Sequence, residues 1–408
     1  MAITRDNAGH ASIGFLLLAG AMSAFPPVTT DIYLPALPQL TTSLNGTTAE
    51  GQATLAMYFL GLGVGQLFYG PWSDRAGRKP TMLIGVFLYL AVTAGCAIAT
   101  SMHAMIALRF FQAVGACSGV VISAAMVRDL FDRQESARIF SMLMLIRGLG
   151  PILAPLAGGV IVTLFGWRAI FWALAAFAAA LGASVAFAMP ETRTAEVAER
   201  ARLESPLKAY GAVFRQREIL GYMVTNGLNF ASMFAWIAAA PYLIIGVYKV
   251  PAIYFGWIFG LNAAGFMAAA QINKLLLKRH PADLMMSVSA IGAALAAAIL
   301  LVDVLTGFGG ALGVFAPLFV VVSSLGLVST NAMAGGLSID PSRAGTVSAM
   351  FGTAQYALGG LATVAGAFIS HSTALGMAAT ILTCASGAAV FPLVILNRKR
   401  RLAQASRA

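Results

Sequence analysis

Two charged side chains stand inside otherwise apolar stretches of this 408-residue chain, and they define much of the chemistry open to it. Asp31 lies in Thr30-Asp31-Ile32-Tyr33-Leu34-Pro35-Ala36-Leu37-Pro38, and Arg109 in Leu108-Arg109-Phe110-Phe111-Gln112-Ala113-Val114-Gly115. An ionised carboxylate in hydrocarbon costs at least ~2.5–3.5 kcal/mol, so it persists only if it is paired, hydrated or neutralised by a proton. A carboxylate under that constraint can take up a proton on one side of a membrane and release it on the other. At the end of a helix it can instead cap the loop that Pro35 and Pro38 begin. Arg109 cannot shed its charge. It can polarise carbonyls of the first helix, hold Asp31 in its charged form, or stand as a purely structural buried base. Arg147 is a second base in an apolar run, open to either of two readings, a cavity cation or a residue reaching an interface. Asp303, near the outer end of another run, is expected to face water.

A third chemical feature is Gly70-Pro71-Trp72-Ser73-Asp74-Arg75-Ala76-Gly77-Arg78-Lys79-Pro80. Gly70 and Gly77 allow a tight reversal of the chain. Asp74 can accept hydrogen bonds from helix N-terminal amides or pair with a base, and Arg75, Arg78 and Lys79 supply the bases. Other chemistries find no support. His10, His103, His280 and His371 fall at termini or loops, which gives no histidine relay inside the apolar runs. Cys96, Cys117 and Cys384 sit within runs and form no CxxC pair, so neither zinc nor a disulfide framework is expected. There is no Walker lysine, and so no sign of ATP as the driving force. No cofactor, metal or catalytic site is expected.

The elements that must position these residues are helices. The chain is 59% apolar and only 10% charged, and a soluble fold could not cover so much apolar surface. Its apolar residues recur in runs of roughly 20, enough to cross about 30 Å of hydrocarbon as a helix. Twelve runs are read, near 12–34, 52–71, 81–100, 104–127, 137–164, 168–189, 219–246, 252–273, 284–305, 311–335, 344–369 and 374–396. The 42 glycines suit spans that pack closely in lipid. The net charge of +11 raises the question of nucleic acid, but the bases alternate with the spans. Arg75, Arg78, Lys79, Arg128, Arg133, Arg138, Lys274, Lys278, Arg279 and Arg343 fall on one side, joined by Arg398, Lys399, Arg400 and Arg401 after the last span. That asymmetry places both termini in the cytoplasm and excludes a polyanion site. Between Pro190 and Glu218 charges of both signs alternate (Glu191, Arg193, Glu196, Glu199, Arg200, Arg202, Glu204, Lys208), which is expected of a solvated amphipathic helix. The predicted organisation is an N-terminal six-helix bundle (1–189), a cytoplasmic linker (190–218), a C-terminal six-helix bundle (219–396) and a basic tail (397–408). A weak echo of Ser73–Pro80 at Ile272-Asn273-Lys274-Leu275-Leu276-Leu277-Lys278-Arg279 suggests duplicated halves.

The Gly70–Pro80 segment resembles the signature loop of the major facilitator superfamily. The resemblance implies that Gly70, Asp74, Arg75, Gly77, Arg78 and Lys79 form a cytoplasmic gate that latches the two bundles in the outward-open state. Leu108–Gly115 resembles the arginine motif of proton-coupled members, with Ala113 where a glycine is usual. Gly150-Pro151-Ile152-Leu153-Ala154-Pro155-Leu156-Ala157-Gly158-Gly159 resembles the antiporter motif, with Ala154 replacing a glycine. The Thr30–Pro38 segment is similar to that of the bicyclomycin and chloramphenicol exporters, often called Bcr/CflA, as are Ser329–Ala334 and Ala344–Ala349. The resemblance covers residues 12 to 396. It implies a proton-driven exporter of small amphipathic drugs in the bacterial inner membrane, monomeric, with Asp31 and Arg109 as the coupling pair. Cargo would meet Tyr33, Tyr58, Asn226, Asn229, Phe230, Phe234, Trp236, Asn331, Gln355 and Tyr356, aromatic faces mixed with a few amides that suit varied flat molecules. Export of a metabolite or siderophore on the same fold is the alternative. An integral-membrane enzyme or receptor would need a catalytic cluster or an extramembrane ligand domain, and no loop outside the central linker is long enough to hold one.

Overall fold

A computed structural model describes residues 12–203, 205–369 and 373–405. His10, Glu204, His371 and the end of the basic tail, 406–408, lie outside the described residues. The described chain is built of helices: α1 (Ile13–Asp31), α2 (Leu37–Ser43), α3 (Thr48–Ala76), α4 (Arg78–Ile98), α5 (Met102–Leu130), α6 (Arg133–Phe165), α7 (Trp167–Ala188), α8 (Ala195–Leu203), α9 (Pro206–Phe214), α10 (Arg217–Pro241), α11 (Ala252–Leu276), α12 (Ala282–Thr306), α13 (Gly310–Ile339), α14 (Ala344–Ile369) and α15 (Thr373–Ala405). Eleven of the described helices are long and apolar enough to cross a membrane. α14, 26 residues long, lies where the eleventh run, 344–369, is read; its glycines, threonines and Gln355 dilute its hydropathy. The fold is that of an all-helical, multi-pass membrane protein.

The helices overrun the apolar stretches because their ends carry polar caps. α3 begins at Thr48, ahead of the run at 52, since Thr47 accepts from the Glu50 amide (3.2 Å) and Glu50 accepts from the Thr47 amide (2.7 Å). α5 starts on Ser101, whose hydroxyl accepts from the Ala104 amide at 3.2 Å. α1 holds Pro26 and Pro27 within its length, each removing an intrahelical bond. The polar segment after α7 forms two short helices, α8 and α9, where one amphipathic helix was expected.

Two compact units result. The first holds the described residues up to Lys208 together with Val250–Trp257; the second holds Ala209–Lys249 and the described residues from Ile258 onward. In the first unit α5 packs against α3, α4 and α1, and α6 lies along α1. In the second α10 packs on α13, α14 and α15, and α12 on α13 and α15. Apolar side chains gain little by leaving lipid, so these contacts depend on close backbone approach at small residues. A side chain added at Gly115 of α5 would put its Cβ 2.6 Å from the Tyr89 nitrogen of α4. One at Gly326 of α13 would stand 2.6 Å from the Ala270 nitrogen of α11.

Candidate functional site

Arg109 is fully buried in the first unit, and aromatic rings surround it. Its guanidinium carbon stands 4.4 Å from the centroid of the Tyr33 ring and 4.3 Å from that of Tyr58. A desolvated cation over such a face gains about 2 kcal/mol, which offsets part of the cost of burying the charge. Both rings are themselves pinned. The Tyr33 and Thr54 hydroxyls lie 2.7 Å apart, and the Tyr58 hydroxyl donates to the Pro26 carbonyl at 3.2 Å. Arg109 Nη1 donates to Gln112 Oε1 at 2.7 Å, and Gln112 Nε2 donates to Thr93 Oγ1 at 2.8 Å. Arg109 Nε and Nη2 have no partner among the described residues. Asp31, the last residue of α1, is 5% exposed. It makes no hydrogen bond or ion pair with any described residue. The structure therefore brings Arg109 to Tyr33 and Tyr58, not to Asp31. No motif spacing announces this cage, because its members come from the turn after α1, from α3 and from α5; only the general affinity of guanidinium for ring faces pointed to it.

At the junction of α3 and α4, Gly77 takes φ +110°, a conformation natural to glycine, and the chain reverses there. Asp74 pairs with Arg78, so of the two partners open to it the base is the one it finds. Arg78, nearly buried, also donates from Nε to Asp129 Oδ2 at 2.8 Å and from Nη1 to Ser73 Oγ at 2.7 Å. The amides that begin α4 go to Glu191, which accepts from the backbone of Arg78 (2.9 Å) and Lys79 (3.2 Å). Gly70 lies one turn back on α3, its carbonyl accepting from the Ser73 hydroxyl at 3.0 Å, and Arg75 is exposed. Asp129 and Glu191 were missed in the sequence. Asp129 follows Arg128, a residue read only as a cytoplasmic base, and Glu191 was one member of a charge run.

On α6, Pro151 and Pro155 lie inside the helix. Gly158 faces the carbonyl of Ile32, the residue after Asp31, and Pro35 stands beside it. Gly150 and Gly159 are buried on the same helix. The motif thus sets α6 against the end of α1 that carries the acid.

In the second unit Phe230 and Phe234 stand 6.0 Å apart, and Phe234 stacks on Tyr356 at 5.7 Å and 17°. Asn226 is 1% exposed and neither amide atom has a partner among the described residues. Asn229 donates to Ser324 Oγ at 3.3 Å. Trp236 is buried against Phe315, with centroids 6.0 Å apart, and Gln355 is half-buried. Asn331 donates to Asn273 Oδ1 at 2.9 Å, while Asn273 donates to Thr330 at 3.0 Å. Asp303 does not face water. It is 9% exposed and accepts the Gly309 amide at 2.6 Å, because the chain folds back over it after Gly307. Outside the spans, Asp340 accepts from Ser342 Oγ (2.6 Å), Gln216 Nε2 (2.9 Å) and Arg343 Nη1 (2.9 Å). These donors hold its carboxyl well below the usual range.

A profile of the Major Facilitator Superfamily matches residues 12–364. The chain is 31% identical over 374 residues to the "Bicyclomycin resistance protein homolog" of Haemophilus influenzae, covering 91% of this chain and 93% of that one. It is 30% identical over 378 residues to a "Chloramphenicol resistance protein" of Pseudomonas aeruginosa, covering 91% and 88%. Among solved structures, a peptide transporter crystallised with sulfate superimposes with a TM-score of 0.76 at 13% identity, over 98% of this chain and 96% of that one, a likeness of fold. With the Gly70–Pro80, Leu108–Gly115 and Gly150–Gly159 segments carried on that fold, the chain belongs to the major facilitator superfamily, in its bicyclomycin and chloramphenicol resistance branch.

Proposed function

We propose that this transporter exports small amphipathic drug-like molecules in exchange for protons, by alternating access. The observation that carries the proposal is Asp31, a buried carboxylate without a partner among the described residues, placed in the same unit as a caged and permanently charged Arg109. A carboxylate in that position is stable when it holds a proton and becomes costly when it loses one. Proton binding there can therefore bias one conformation over another. Arg109, held between its rings, makes no direct bond to Asp31 and serves as the fixed charge of the pair. The relatives' names, which speak of bicyclomycin, chloramphenicol and multidrug resistance, support a drug as cargo. Cargo recognition falls to the aromatic stack Phe230, Phe234 and Tyr356 and to the amides of Asn226 and Asn229, groups that suit flat molecules with a few polar atoms. Residues 1–189 and 219–396 serve as the two moving bundles, joined by the linker 190–218. Asp74 and Arg78 belong to the gate. The protein works as a monomer in the bacterial inner membrane with both termini in the cytoplasm, and needs no cofactor beyond the proton gradient.

The test is export of a fluorescent drug from proteoliposomes with an imposed pH gradient. An uncoupler is expected to abolish export, ATP to leave it unchanged, and Asp31→Asn to bind drug while losing both gradient-driven export and the pH dependence of binding. Gradient-driven export by Asp31→Asn at the wild-type rate would show that the proton binds elsewhere.

A further inference from the structure

Three consecutive residues after α7 reach three helix ends. Glu191 accepts from the backbone amides of Arg78 and Lys79, the first residues of α4, and from its own neighbours Thr192 and Arg193 at 2.9 Å each. Thr192, buried, donates from Oγ1 to Asp129 Oδ2 at 3.4 Å, near the end of α5. The guanidinium of Arg193 donates to the carbonyl of Arg75, in the last turn of α3. The signs are those the helix ends call for. A carboxylate sits on the orphan N–H groups where α4 begins, and a cation sits on an orphan carbonyl where α3 finishes. Burial works to raise the Glu191 carboxyl, and its four amide donors overcome that and hold it below the usual range. Gly77 is required for this arrangement, since a Cβ there would stand 2.6 Å from Glu191 Oε2. Next to this junction α8 packs against α3.

We infer that Glu191-Thr192-Arg193 is a clamp that fixes the α3–α4 junction and so holds Asp74, Arg78 and Asp129 in register; Glu191 and Arg193 are positioning residues for the gate. The clamp ties the start of the linker to the gate cluster, so displacement of the linker is felt directly at Arg78. This rests on the reading of Asp74 and Arg78 as the gate.

The experiment measures maximal rate and KM for drug export in proteoliposomes, with drug binding in detergent as a control. Glu191→Ala and Arg193→Ala are each expected to lower the maximal rate roughly threefold to tenfold, the range set by one charged helix cap. KM and drug affinity stay within about twofold. Arg193→Lys, which keeps a cation over the carbonyl, restores most of the rate. In an Asp74→Ala background Glu191→Ala has no further effect, because the clamp acts only through the cluster. Should Glu191→Ala not fold, Glu191→Gln replaces it; this variant keeps one acceptor oxygen and loses the charge, and an intermediate loss is expected. Three results overturn the clamp: wild-type rates in both alanine variants, weakened binding in step with the lost rate, or an undiminished loss in the Asp74→Ala background. An Asp74→Ala transporter with the wild-type rate sinks the gate reading and the clamp together. A slow Asp74→Ala beside a fast Glu191→Ala sinks the clamp alone.

Discussion

Adding one methyl group at Gly158 tests how the antiporter segment meets the helix that carries Asp31. An ideal Cβ at Gly158 would lie 2.9 Å from the carbonyl carbon of Ile32 and 3.0 Å from Pro35 Cγ, with the Ile32 carbonyl oxygen nearer still. Ordinary contact begins at 3.4 Å, so the carbonyl carbon at 2.9 Å alone requires α6 and the end of α1 to separate by about 0.5 Å, and the nearer oxygen requires more. The obstacle is backbone, which cannot rotate aside. Overpacking of this kind costs roughly 1–3 kcal/mol, and here the displaced residue is bonded directly to Asp31. Gly150, two turns earlier in the same segment, is the control, since its Cβ would meet only Val28 Cγ2, at 3.8 Å. We expect Gly158→Ala to lower the thermal midpoint in detergent and to cut gradient-driven export by an order of magnitude or more. Gly150→Ala should match the wild type in both. Fluorescence-detected thermal unfolding and proteoliposome export are the assays. A Gly158→Ala protein as stable and as active as Gly150→Ala would refute the close approach of α6 to Ile32.

Two further outcomes follow from the same geometry. Arg109→Lys should destabilise the fold by about 1–2 kcal/mol despite keeping the charge, because an ammonium cannot stack flat against both Tyr33 and Tyr58; Tyr33→Phe, which keeps the ring and loses only the bond to Thr54, should cost about 1 kcal/mol or less in the same unfolding assay, and the reverse order would refute the cage. Asp340 has a lowered pKa in the folded protein, so its stabilisation is full above the ordinary aspartate value of about 3.9 and is lost as pH falls through the lower folded value. The midpoint difference between wild type and Asp340→Asn should therefore be constant from pH 5 to 8 and shrink below about pH 4; a difference that vanished already at pH 6 would show that another group is responsible.

The fold was legible because a bilayer imposes one length and one composition on every span. α14 shows the limit of that signal, as a helix whose glycines and threonines buy close packing at the expense of hydropathy. The reversal between α3 and α4 was legible as a local pattern, with Gly77, Asp74 and Arg78 inside eight residues of one another. What escaped was the set of partners that come from elsewhere in the chain. Asp129 lies 51 residues from Arg78 and Glu191 lies 113 from it, and nothing in their immediate surroundings marks them. The same reason explains Arg109. Its charge and its position in a span could be read, and the obvious counter-charge was Asp31, but two neutral rings meet it instead. Asp303 was misplaced because a loop that returns over a helix end cannot be seen in hydropathy.

The order of the cage along the chain has a consequence for how the protein enters the membrane. Tyr33 and Tyr58 lie on elements made before α5, and Arg109 comes last of the three. A helix with an arginine two turns into its length leaves the insertion machinery at a disadvantage of up to about 2.5–3.5 kcal/mol if it meets lipid alone. Here it emerges after the turn and the helix that carry the two rings, and the guanidinium can be received as it arrives. Vectorial synthesis thus supplies the receptor before the charge, and a circular permutant that placed α5 ahead of α1 would have to insert Arg109 unaided.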